Sequence, residues 1–235
     1  MNLSLIKTTL FFIALILFLL GPSHNSFAES TINCHCFKER TFNPIDTFST
    51  DDYILATSFN SLLAKSYDIP KRQVIILKMK EKVGHDDLLI GFKISKSTGV
   101  HLKQLLSFLE RKKTWSKVLS EMDQQEMIMN DQLLEAIKSG LPVDEAGDRA
   151  GDELISEFYS VPAEKIGKLR KSGLNEKEMA LLFILVHAKD QKLEVLVKQH
   201  NGQGKSWSEI AHNLGVEPAA AGKLILAYPA KQIAE

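Results

Sequence analysis

The chain is 235 residues long, with 29 basic and 29 acidic residues and no net charge when its histidines are neutral. That balance gives it no general attraction to nucleic acid or to an anionic membrane. Apolar residues make up 44% of it, enough to build a core, and this excludes wholesale disorder.

Residues 1–28 read as a secretory signal peptide. Lys7 precedes eleven unbroken apolar residues, Leu10 to Leu20; Gly21 and Pro22 then break the helix, and Ser26-Phe27-Ala28 offers small residues to a signal peptidase. The apolar run is short of the roughly 20 residues that a membrane span needs. The expectation is cleavage before Glu29, no integral span afterwards, and a periplasmic or secreted protein. Ile32 and Asn33 do not suit the small-residue positions of a lipobox ahead of Cys34.

Residues 29–50 are expected to be an extended segment, and they hold both cysteines in the triplet Cys34-His35-Cys36. In an oxidising compartment the two thiols would react with each other or with another group. A bond between them closes a tiny, strained loop and would be labile. Two thiolates also suit Cu(I) or Zn(II), with His35 or a distant histidine completing the shell. The distant candidates are His85, His101, His187, His200 and His212, none of which forms a recognised ligand pair. Neither C-x-x-C nor C-x-x-C-H occurs, so thiol redox chemistry and haem attachment lack their usual carriers. Three readings stay open: a disulfide or structural cysteines, a metal site at Cys34, His35 and Cys36, and partner-thiol chemistry. Downstream, Phe37, Arg40, Phe42 and Pro44 fit a segment that docks on a helical body.

From residue 51 onward the pattern is helical and repeats itself. Tyr67-Asp-Ile-Pro70 matches Tyr159-Ser-Val-Pro162, 92 positions on, and Val74, Leu77 and Lys78 match Ile166, Leu169 and Arg170. After one residue of slippage Leu88, Phe92, Leu102 and Leu105 match Met179, Phe183, Leu193 and Leu196. Then "TWSKVLSEM" (114–122) aligns with "SWSEIAHNL" (206–214), which pairs Trp115 with Trp207, the two tryptophans of the protein. The series predicts two diverged repeats, residues 51–123 and 152–235, each ending in a Trp-containing helical hairpin. The fold class is all-α.

Within each repeat, Pro70 and Pro162 suit the start of a helix, with Asp68 and Ser160 as neighbouring caps. These helices are expected to end near Gly84 and Gly173. Asn175 and Glu178 have capping-box spacing ahead of Met179 to Val186, a run that is apolar on every side and so belongs at the centre of a core. The next helix carries one buried stripe, Leu102, Leu105, Leu106 and Leu109 in one repeat and Leu193, Leu196, Val197 and His200 in the other. Residues 124–151 read as an extra helix followed by a linker, because "SGLPVDEAGDRAGDE" (139–153) is rich in glycine and acid.

Residues 206–228 resemble a helix-turn-helix. Ile210, Ala211, Leu214, Gly215, Val216, Ala221 and Leu224 occupy its apolar, small and turn positions. Its second helix offers Glu217, Pro218, Ala219, Ala220, Gly222 and Lys223, among which only Lys223 is a plausible donor to a base edge. A packing hairpin is expected in preference to DNA binding. "NGQGKS" (201–206) ends like a P-loop but lacks the motif's first glycine and its preceding strand, so a turn is expected there. Neither G-x-S-x-G nor H-E-x-x-H occurs, and no catalytic residue is assigned. Acidic pairs such as Asp51-Asp52 and Asp86-Asp87 fit helix starts.

"CHCFKERTFNP" at the expected mature N-terminus, followed by helical segments ending in a Trp-Ser-x-Ile-like helix, resembles uncharacterised exported bacterial proteins. That resemblance implies export and the two-repeat layout, and carries no established activity. The function expected is a non-catalytic binding or scaffolding role in the cell envelope, with an unknown protein or small ligand as partner. The alternatives are a Cu- or Zn-binding or thiol-redox protein, and a DNA-binding protein.

Overall fold

Prolines and left-handed residues punctuate the chain into twelve helices, and no strand occurs among the described residues. A computed structural model describes residues 37–123 and 131–229. The helices are α1 (Asp51–Ser66), α2 (Lys71–Met79), α3 (His85–Thr98), α4 (Leu102–Lys112), α5 (Trp115–Asp123), α6 (Gln132–Lys138), α7 (Val143–Tyr159), α8 (Ala163–Lys171), α9 (Glu176–Lys189), α10 (Leu193–Val197), α11 (Trp207–Asn213) and α12 (Pro218–Ala227). A π-helical turn, Lys198–Gly202, prolongs α10. The fold is all-α.

Helix boundaries recur along the chain. α2 and α8 start at 71 and 163 and have the same length, as do α3 and α9, which start at 85 and 176. The left-handed turns recur at the same spacings: Asp68 and Ser160, Lys82 and Gly173, Gly99 and Asp190, Lys113 and Gly204 all have positive φ. The first six helices are thus followed by six in a similar order.

Three details differ from the sequence reading. Asp68 and Ser160 do not cap α2 and α8; they sit at φ 49° and 56° and turn the chain out of α1 and α7. The N-cap residues are Pro70 and Pro162, without a side-chain hydrogen bond. α2 stops at Met79, and Gly84 instead precedes α3 as its N-cap. The stretch 139–153 is a linker only as far as Pro142, because from Val143 it forms the first half of α7. Its glycines serve helix contact. A Cβ on Gly147 would lie 2.6 Å from Asp86 Oδ1, and one on Gly151 would lie 3.2 Å from Glu176 Cβ. Both allow α7 to lie close to the starts of α3 and α9.

The apolar run of α9 is central, as its all-round hydrophobicity requires. Met179 through Leu185 are each at most 2% exposed, and removing a Leu, Ile or Phe side chain of that kind from water contributes about 1.5–3 kcal/mol. The capping box of Asn175 and Glu178 is complete. Packing crosses between the two sets of helices. α3 lies along α7, and α9 lies along α1; α12 packs on α1 as well. Gly222 makes that last approach possible, since a Cβ there would stand 2.7 Å from Ser61 Oγ and 2.9 Å from the Thr57 carbonyl oxygen.

Candidate functional site

Cys34, His35 and Cys36 lie outside the described residues. The segment that follows them docks on the helices, as its aromatic residues predict. Phe37 meets Tyr53 edge-on at 5.4 Å, the Arg40 guanidinium stands 5.7 Å over the same ring, and Phe42 stacks on His212 at 4.2 Å. Pro44 stays exposed. The five distant histidines do not converge. His85 bonds Glu176, His101 is the exposed N-cap residue of α4, His187 faces Tyr228, His200 stacks on Trp207 and His212 faces Glu217. No group of three or more metal-ligating side chains occurs among the described residues.

A charged cluster forms where α3 and α9 begin, around the buried Glu176. Their first residues meet, with His85 Nε2 2.7 Å from Glu176 Oε1. Glu176 Oε2 accepts from Arg170 Nη1 at 3.3 Å, and Arg170 also binds Asp152 (2.6 Å) and Asp148 (3.0 Å). Burial works to raise the pKa of Glu176, but the His85 hydrogen bond and charge, together with its own backbone N–H, prevail and hold it at about 2. Burial pushes Asp86 and Asp152 the other way, above the ordinary carboxylate value. His85 Nδ1 is buried and faces no hydrogen-bond partner among the described residues, while Nε2–H donates to Glu176. The contacts of this cluster are ion pairs and hydrogen bonds, a chemistry that clamps α3, α7, α8 and α9 together.

Two tryptophan corners flank this cluster. Trp115 Nε1 donates to Asp87 at 2.8 Å, and Trp207 Nε1 donates to Glu178 at 3.0 Å. Asp87 and Glu178 are each the third residue of their helix. The second corner has more polar partners. His200 stacks on Trp207 at 4.4 Å, donates from Nδ1 to the Lys205 carbonyl at 2.8 Å, and brings Nε2 to 3.4 Å from Glu178. From α1, the Asp51 carboxylate accepts the backbone N–H of Trp207 (3.0 Å) and of Ser208 (2.8 Å), and the Ser208 hydroxyl (2.7 Å). Burial raises the Asp51 pKa against those hydrogen bonds. Nothing in local sequence pairs Asp51 with a helix 156 residues away, and only the recurrence of Trp-Ser hints that this corner matters.

The hairpin of α11 and α12 has the turn of a helix-turn-helix, with Gly215 at φ 70°. Its second helix is committed to packing. Ala221, Gly222 and Ile225 are buried, and Lys65 on α1 donates to the Leu226 carbonyl at 2.7 Å and to that of Tyr228. The exposed side of α12 carries one cation, Lys223. In "NGQGKS" Asn201 and Gly202 end the π-helical turn, Gly204 at φ 68° turns the chain, and the Ser206 side chain accepts from Glu209 N–H to cap α11.

Two open depressions lie on the surface. One, of about 800 Å³, lies among Lys65, Lys96, Glu157 and Phe158. The other, of about 880 Å³, lies beside α4 and includes Tyr67, Phe92, Leu102 and Phe108. The chain matches no protein family, no curated protein and no solved structure.

Proposed function

We propose that this is an exported, non-catalytic binding or scaffolding protein of the cell envelope, built from two diverged copies of one six-helix unit that begin at α1 and α7. The observation that carries the reading is the exchange of packing partners: the first helix of each unit lies along the third helix of the other. A two-fold arrangement of like units makes equivalent positions meet on its axis, and His85 and Glu176, which begin equivalent helices, are in contact. The recurring left-handed turns and the two Trp–carboxylate bonds support the same reading. Export rests on the features of residues 1–28.

A binding role is favoured over catalysis because the polar clusters are engaged in holding helices together, while an apolar groove stands open beside α4. Intact mass of the protein isolated from the envelope fraction tests export, with thiol alkylation reporting the state of Cys34 and Cys36. The expected mature chain starts at Glu29, and a chain still starting at Met1 in the cytoplasm overturns the proposal. Cross-linking in intact cells tests the binding role: a discrete adduct is expected, and a chain recovered only as itself counts against it.

A further inference from the structure

The groove beside α4 joins an apolar floor to cations. Tyr67 stacks on Phe92 at 4.2 Å with 11° between the rings, and Leu102 and Phe108 continue that apolar surface. Lys103 and Arg111 are among its lining residues, and no carboxylate is, although the chain holds 29 acidic residues. The Arg111 guanidinium stands 4.8 Å over the Phe108 ring, so cation and aromatic are presented as one unit. At the corresponding places after α9 stand Gln199 and Gly202, so this pairing of ring and cation is special to the α4 side. A volume of about 880 Å³ is within the range of small-molecule sites.

We propose that this groove binds an amphiphilic carboxylate of the fatty-acid type, with its chain on Tyr67, Leu102 and Phe108 and its acid group on Arg111, while Lys103, two turns away on the same helix, adds positive potential. The proposal rests on the binding-protein reading and names the ligand class. A guanidinium meets a carboxylate through two parallel hydrogen bonds, and an ammonium adds a point charge. An apolar floor without the cations would accept a neutral or cationic chain equally well. Here the charge at the rim selects the anion.

The test is titration calorimetry of the mature protein with decanoate below its micelle concentration, beside decanol and decyltrimethylammonium. Saturable one-to-one binding of decanoate is expected, with decanol weaker and the cation not binding. Arg111→Gln, at an exposed position, should weaken decanoate by about tenfold while leaving the thermal transition in place, and Lys103→Gln should weaken it less. Amide shifts in an NMR titration should centre on α4. No saturable binding, equal binding of the cationic chain, or binding indifferent to Arg111→Gln would each overturn the proposal. If decanoate fails while cross-linking still finds an envelope partner, the ligand class falls and the binding role stands. If decanoate binds but the protein proves cytoplasmic, the site stands and export falls.

Discussion

Trp115 and Trp207 close the same kind of corner with different means. Each indole N–H is donated to a carboxylate two residues into a neighbouring helix. At the α5 corner the residue 91 positions before His200 is Leu109, which packs on the core, and the residue 92 positions after Asp51 is Val143, which is exposed. At the α11 corner those places hold a histidine and an acid that add hydrogen bonds and draw in α1 from the far end of the chain. The indole–carboxylate bond is therefore the shared minimum, and the extra polar groups are what one corner adds to tie distant helices.

The largest effect is expected from cutting the chain after Gly140, so that α1 to α6 and α7 to α12 become separate fragments. Since α1 needs α9 and α12, and α3 needs α7, neither fragment alone should show a cooperative thermal transition by circular dichroism, and mixing them should restore one. A fragment that melts cooperatively by itself would show that this crossed packing is not what holds the helices. Next come the indoles. Trp115→Phe should cost about 2–3 kcal/mol in denaturant unfolding, the upper part of the range for a hydrogen bond to a charged group. Trp207→Phe should cost less, about 1–2 kcal/mol, because Glu178 keeps the Asn175 N–H and His200. Adding His200→Leu should remove that cushion, and equal losses from the two single changes would deny it.

Acid should loosen the contact between the two helix starts, His85 and Glu176. The folded pKa of Glu176, about 2, is below its ordinary value of 4.5. Its contribution is therefore present above pH 4.5 and is lost as pH falls from there toward 2, on the order of 2 kcal/mol. Glu176→Gln should flatten that part of the stability–pH curve, and an unchanged curve would remove the ion pair from the account. The smallest expected effect is Asp51→Val, which installs the residue found at the start of α7. Losing this cap should lower stability by about 1 kcal/mol and speed hydrogen exchange at the Trp207 and Ser208 amides.

Much of this architecture is legible in the residues themselves, and the reasons are local. Pro70 and Pro162 mark helix starts to within a residue, the Asn175–Glu178 box marks the start of α9, and a run apolar on all sides locates the core. Residues 139–153 mislead because Gly147 and Gly151, set among Asp144, Glu145, Asp148 and Asp152, have the composition of a loop. Their use depends on partners elsewhere: the glycines admit Asp86 and Glu176, and two of the acids pair with Arg170. Asp68 and Ser160 do stand at a boundary, but they end the preceding helix instead of capping the next, since both residue types serve caps and left-handed turns alike. The contact of His85 with Glu176 and the reach of Asp51 to α11 depend on how distant helices cross, which no spacing within one segment encodes.

The crossing of α1 onto α9 and α12 also sets the order in which this molecule can be completed. As the chain is made, α1 emerges more than a hundred residues before α9 and α12, the helices packed along it. Until α12 has followed, the face of α1 that it packs on has no native cover from it, and the early chain is exposed to the wrong associations that non-local folds invite. The newborn N-terminal half must wait, unfinished, for the last helix to arrive.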